Sequence, residues 1–431
     1  MIPNPQILKS IQQLNYRVTV GDIAANSGLN INVAQQGLLE LASNANGHLQ
    51  VSDTGEIVFL FPPNFQTILR NKFLRLRLQE WWQKIWKVVF YLIRISFGIL
   101  LIASIILMMV AIAIIVIAIT KGSDDNDSGG GRNRDSGPNL IFFPRFFYFP
   151  DLFWFFNYDY SPQSRIRKNE ESKMNFLEAI FSFIFGDGDP NYNLEERRWN
   201  KIGSVITNNR GAVIAEQVAP YLDDVIIGDN EDYMLPVLTR FNGFPEVSPD
   251  GDIIYYFPDL QVSANRRQNS YVSSFLNEEL WKFSQADSGQ IMLAIGLGSL
   301  NIILALVLGS LLTEEVVLQL GGLIAFVDSI YWILLGYGTA FLTIPLIRYF
   351  WVQANNKKIN QRNLQRQNLA DQLKELSQKL IKKLSFARKF ALEKIITNQD
   401  LTYTTETDLL DQELSNTDKI DAEWRKRLES N

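Results

Sequence analysis

Residues able to carry acid–base, nucleophilic or metal chemistry are few in this 431-residue chain, which has one histidine, His48, and no cysteine. A Ser-His dyad would have to use His48, and a His-rich metal site cannot be built from one imidazole. The lack of thiols removes disulfides, thiolate nucleophiles and Cys-ligated zinc or iron–sulfur clusters. Two acidic stretches, GSDDNDSGGG from Gly122 and GDGDPNYN from Gly186, invite a calcium reading. Both lack the EF-hand order of ligands and its terminal Glu, so they read as a linker and as a turn before a helix. No catalytic, cofactor-binding or metal-ligating residue is assigned, no cofactor is expected, and the chain reads as a non-enzyme.

The remaining candidates are two ionisable residues in long apolar blocks, Arg94 and Asp328. Residues 88–120 carry Arg94 as their one charge in 33 positions, and about 20 apolar residues suffice to cross a bilayer as a helix. Residues 291–312 and 323–347 are two further spans, joined by TEEVVLQLGG into a helical hairpin. Ala294 with Gly298, and Gly336 with Ala340, form small-xxx-small pairs that let neighbouring helices approach closely. Arg94 follows the start of the first block by about as far as Asp328 follows the start of the third. The expectation is an Arg94–Asp328 ion pair near the inner interface.

Arg70, Lys72, Arg75, Arg77, Lys84 and Lys87 precede the first span, and Asp124, Asp125 and Asp127 follow it. The positive-inside rule then sets the N-terminus on the cytoplasmic or stromal side. Met1 to Gln50 shows no cationic region followed by an apolar stretch, so no cleavable signal peptide is expected. Three spans would export the C-terminal tail, whereas its basic residues argue for the inside. The side of residues 121–290 and of the tail stays open.

Residues 141–160, IFFPRFFYFPDLFWFFNYDY, hold twelve aromatic side chains. Pro144, Arg145, Pro150 and Asp151 make this a poor transmembrane helix. Tyr148, Trp154, Tyr158 and Tyr160 suit the headgroup layer, where one end of a ring is apolar and the other wet. The tract therefore reads as a membrane-surface anchor, followed by a short helix that Asn175 and Glu178 would cap.

An internal similarity sets the fold class. GHLQVSDTGEIVFLFP, residues 47–62, aligns without gaps on GFPEVSPDGDIIYYFP, residues 243–258, with seven identities in sixteen positions at an offset of 196. Each copy reads as a β hairpin around a Gly turn, preceded by residues with helical spacing, which suggests a winged helix. A DNA-reading helix needs cations, yet residues 31–44 carry Glu40 alone, and residues 195–262 carry five basic against twelve acidic side chains. Nucleic acid is therefore disfavoured as a partner and protein contact favoured. From Gln353 to Thr397 the chain reads as one long basic amphipathic helix, suited to anionic headgroups or to an acidic partner such as the second winged unit. The last acidic stretch reads as loosely held.

FFYFPDLFWFF, MNFLEAIFSFIFGDGDPN, EERRW, AEQVAPYL and TYTTETDLLDQE together resemble a family of membrane proteins found in cyanobacteria and chloroplasts, whose plant members carry a label for iron–sulfur cluster biosynthesis. That resemblance implies a thylakoid or plasma membrane location and carries no catalytic residues; without cysteine the usual thiolate ligation is absent. The expected architecture is a mixed α and α+β membrane protein. It comprises a winged-helix-like domain at 1–69, a basic juxtamembrane segment and first span at 70–120, and a linker at 121–140. An aromatic segment with a short helix at 141–190 and a second winged-helix-like domain at 191–262 follow. A transmembrane hairpin at 288–347, a basic helix at 348–397 and an acidic tail at 398–431 complete it. The expected role is a non-catalytic interaction or assembly factor, with the lipid bilayer and a protein as partners. A membrane-tethered transcription regulator and a small transporter or channel component are the alternatives, and homo-oligomerisation stays open.

Overall fold

The computed structural model describes residues 4–72, 74–122, 174–223, 225, 231–266, 271–375 and 377–414, with 417, 424, 425 and 428. The chain begins with α1 (Pro5–Gln13), β1 (Arg17–Thr19), α2 (Val20–Ser27), α3 (Ile31–Asn44), β2 (His48–Ser52), β3 (Ile57–Leu60) and α4 (Phe65–Lys72), then the long α5 (Leu74–Gly122). It continues with α6 (Phe176–Phe185), α7 (Leu194–Asn208), β4 (Ala212–Val213), α8 (Ala215–Val218), α9 (Leu235–Phe241), β5 (Phe244–Val247), β6 (Ile253–Tyr256), α10 (Pro258–Gln261) and β7 (Val262–Ser263). It ends with α11 (Ser288–Leu311), α12 (Glu314–Leu320), α13 (Gly322–Gln372), α14 (Gln378–Phe390), β8 (Lys394–Ile395) and β9 (Leu401–Thr404). Two compact units result: residues 1–83, 190–280 and 357–431 form the first, and residues 84–189 and 281–356 the second.

In the first unit, local chemistry sets the helix ends. Pro5 opens α1 and the Asn4 side chain accepts from the Gln6 N–H, while Thr19 and Asp22 form a reciprocal capping box on α2. Gly28 ends α2 at φ +66°, a conformation that costs a side-chain-bearing residue more than glycine. Strands β1, β3, β2 and β9 make one sheet in that order, and β4, β6 and β5 make a second. The pairs His48–Leu60 and Val51–Ile57 recur as Phe244–Tyr256 and Val247–Ile253, each displaced by 196 residues. The turns agree as well. Gly55 and Gly251 sit at φ +84° and +86°, and the Ser52 and Ser248 hydroxyls each accept a backbone N–H, from Glu56 and Asp252, at 3.0 Å.

One apolar core takes in Ile7, Ile23, Leu38, Phe59 and Phe65 beside the first hairpin and Ile202, Val213, Val218, Phe241 and Phe257 beside the second. Each such fully buried side chain contributes roughly 1.5–3 kcal/mol. Helix α2 approaches α7 closely enough that a methyl on Gly203 would lie 2.5 Å from the Ala25 carbonyl oxygen.

The tail departs from the single helix expected over 353–397. Helix α13 runs unbroken from the third apolar block to Gln372. Its continuation stops where the Lys374 N–H turns back to the Asp371 carbonyl, and Ser377 caps a new helix, α14. The acidic end is not wholly loose either, because β9 pairs antiparallel with β2.

Among the described residues, α5, α11 and α13 are long and apolar enough to cross a membrane. In the second unit they share a core that includes Leu101, Met108, Ile115, Ala294, Leu304, Leu308, Ile324 and Phe341, with Ile180 and Phe183 of α6 beside them. The chain is thus a mixed helical and sheet protein with three membrane-length helices.

Candidate functional site

Arg94 does not meet Asp328. Its guanidinium donates to Asp187 at 2.9 Å, and Asp328 is exposed on α13. The direction of the helices explains the difference. Arg94 and Arg348 share one end of the bundle: Asp187 Oδ2 accepts from the Ser182 hydroxyl at 2.6 Å and the Gln285 N–H at 2.9 Å, and Arg348 donates to the carbonyls of Ser182 and Phe283. Asp328 belongs to the opposite end of α13, twenty residues earlier. Trp281 and Asn356 also bond to each other, at 2.8 and 2.9 Å.

Midway along the bundle, buried Asn301 donates to the Ser104 hydroxyl at 2.5 Å. A methyl on Gly338 would lie 2.5 Å from Asn301 Oδ1, and one on Gly298 would lie 2.5 Å from the Phe341 ring. Of the two small-xxx-small pairs, Ala294 and Gly298 therefore pack in the interface. Gly336 faces open space and Gly338 takes the contact instead.

Tyr148, Trp154, Tyr158 and Tyr160 lie outside the described residues. Described aromatic residues that suit the headgroup layer are Trp81, Trp82 and Trp86, all exposed near the start of α5, with Lys84 and Lys87 interleaved. Trp next to Lys before an apolar block was the available sequence signal.

Among the described residues, the first unit holds a network of buried charges where the tail meets residues 194–280. Glu278, 4% exposed, pairs with Arg366, 3% exposed, at 2.9 Å, and also with Arg362. Arg366 and Arg198 both bind Asp223. Burial alone would raise the Glu278 and Asp223 carboxyls, but their arginine partners outweigh it and hold both below the usual carboxylate range.

A second cluster forms where α14 lies on β4 and β6. Buried Lys383 donates to Glu216 at 2.8 and 2.9 Å and to Glu231 at 2.7 Å, and the Tyr255 hydroxyl donates to Glu231 at 2.7 Å. Burial pulls the Lys383 ammonium down, yet its bonds to Glu216 and Glu231 leave it above its ordinary value. Burial, then Glu231, pushes the Tyr255 phenol up, so it stays neutral. Leu369, Leu373, Ala219 and Val225 line an adjoining cavity of about 220 Å³. This arrangement holds Lys383, Glu216, Glu231 and Tyr255 in one hydrogen-bonded cluster.

The tail serves the first copy too. Arg17 donates to the carbonyls of Ala264 and Ile396, and Asp22 accepts from the Ser263 hydroxyl at 2.8 Å and the Ala264 N–H at 2.9 Å. Val58, Val262, Ala264 and Ile396 form a small core over the first sheet, and Ile214, Ile254 and Ala387 one over the second.

No family model matches the chain, and no solved structure matches it. It is 38% identical, over an alignment of 437 residues, to the Arabidopsis thaliana protein named "Uncharacterized protein At5g03900, chloroplastic", with 98% of this chain and 81% of that protein covered. A similarity of that depth takes in both sheets, all three membrane-length helices and the clasping tail, and the chain belongs to the family of this Arabidopsis chloroplast protein.

Proposed function

We propose that the protein is a non-catalytic integral membrane protein that presents a module of two duplicated winged-helix-like units to a protein partner, in the assembly of a membrane complex. The observation that carries this reading is the outward face of α3, the helix that precedes the hairpin of the first copy. Asn32, Val33, Gln35, Gln36, Leu39 and Ser43 are exposed on it, and none is charged. A phosphate backbone needs cations there, whereas amides beside exposed aliphatic groups suit a protein surface. The shared register and turns of the two hairpins support a duplication, and their order of helices and strands supports the winged-helix reading.

The compactness of residues 1–83, 190–280 and 357–431 as one unit supports their sharing one side of the membrane, and the cations before the first span support the cytoplasmic or stromal side. The chloroplast relative and the three apolar helices support a thylakoid location. Purification from native membranes in mild detergent, followed by mass spectrometry, tests the role. A reproducible companion that is lost from a Val33→Glu, Leu39→Glu variant supports it. A protein recovered bare in every preparation sinks it.

A further inference from the structure

Among the described residues, helix α14 packs through one of its faces. Lys383 and Ala387 are buried, with Leu384 and Phe390 packed beside Ile214 and Ile254. On the other side Lys379, Lys382, Arg388 and Lys389 are exposed, together with Ile381 at 49%. The helix contains no acidic residue. Lys379 and Lys382 reach Asp252 and Asp250 only at 3.7 and 3.8 Å, and remain 78% and 70% exposed. Pairs of that kind are screened by water and leave both lysines available. Among the described residues, Arg388 and Lys389 have no carboxylate partner.

We infer that this outward face of α14 is a docking surface for an acidic protein segment that carries a central apolar residue. The inference rests on the partner-holding role proposed above and names the partner's chemistry. Lys382, Arg388 and Lys389 fall within about 120° of the helix circumference, with Ile381 among them as an apolar anchor and Lys379 on the flank of that face. The inner face of the same helix already shows carboxylates as the complement, in Glu216 and Glu231 around Lys383. A narrow peptide also suits the surroundings better than a flat anionic surface, because a headgroup layer over Lys379 and Lys382 would meet Asp250, itself 65% exposed. The acidic excess of the second copy repels a nucleic-acid backbone in the same way.

The test uses the full chain in detergent micelles and a fluorescein-labelled peptide of glutamates with one central leucine. Anisotropy should show binding that weakens with added salt. The variant K379E/K382E/R388E/K389E should bind about tenfold more weakly or worse. A variant with lysine and arginine exchanged at the same four positions keeps the charge, and should bind like the parent and melt with it. Equal binding by the reversed variant overturns the inference, and so does equal binding of an oligolysine peptide. Displacement of the peptide by micellar phosphatidylglycerol at lower concentration than by unlabelled peptide would make the surface a lipid site instead. The two proposals also separate in membrane preparations. No companion with the parent chain removes the partner-holding role, whereas a companion retained by the reversed variant removes this surface alone.

Discussion

Glu278 and Arg366 are the residues on which the first unit depends most, since both are almost fully enclosed and each satisfies the other. Removing one member of a buried pair strands the remaining charge, at a cost of about 3–5 kcal/mol. Glu278→Gln should therefore lower the stability of this unit by that amount, measured by chemical denaturation of the purified chain. The pair also makes stability depend on pH. Glu278 and Asp223 titrate lower in the folded chain than their ordinary values of 4.5 and 3.8. Their contribution is therefore complete above those values and is lost as pH falls through the folded ones. Lys383 has the opposite sign: its folded value lies above 10.5, so its contribution persists until alkaline pH. A melting temperature that falls steeply below about pH 4 in the parent, and less steeply in Glu278→Gln, is the expected result. None of these pairings was legible in the sequence. The excess of cations in the tail and of carboxylates in residues 195–262 could be counted, but which of them meet depends on how residues 84 to 167 positions apart are brought together.

At the scale of elements, the hairpins were the most legible part, because their register depends on local turn chemistry that the 196-residue offset preserves. The outward strands differ between the two hairpins. Leu49 and Asp53 turn their N–H groups outward to the tail, toward Thr405 Oγ1 and the Asp400 carbonyl, both at 2.9 Å. The positions 196 residues later, beside the second hairpin, are Pro245 and Pro249, which have no N–H to give. Only the first sheet therefore takes a fourth strand, a difference visible in the two sequences once the outward positions are known. Deleting residues 400–431 should speed hydrogen exchange at the Leu49 and Asp53 amides about tenfold or more, while Ser52, bonded inward to Glu56, stays protected. The transmembrane helices were legible in extent and less so in contact. Small residues mark close approach, but only packing reveals which of them face a neighbour. Gly338→Val should disrupt the bundle against Asn301, and Gly298→Leu should do so against Phe341, whereas Gly336→Val should leave the melting temperature within about 2 °C of the parent.

The whole molecule constrains its own topology. Helix α5 carries the chain away from the Arg94 end for 28 residues, about 42 Å, to Gly122. Yet the Met174 carbonyl accepts from Gln290 at 2.9 Å, and Leu177 lies against Gly98, so the chain is back near its starting end at residue 174. Helices α11 and α13 then run out and return. The compactness of residues 1–83, 190–280 and 357–431 as one unit supports the orientation proposed above. On that proposal the N-terminus and the tail share one side, in place of the opposite sides that a count of three spans suggests. The absence of cysteine makes this directly testable, because single cysteines can be introduced without removing any native ones. In sealed, oriented vesicles, Thr54→Cys, Asp250→Cys and Glu406→Cys should all react with a membrane-impermeant maleimide from one side. Thr313→Cys, between α11 and α12, should react only from the other. If Glu406→Cys labelled together with Thr313→Cys and apart from Thr54→Cys, the pairing of β9 with β2 could not exist in the membrane-bound protein.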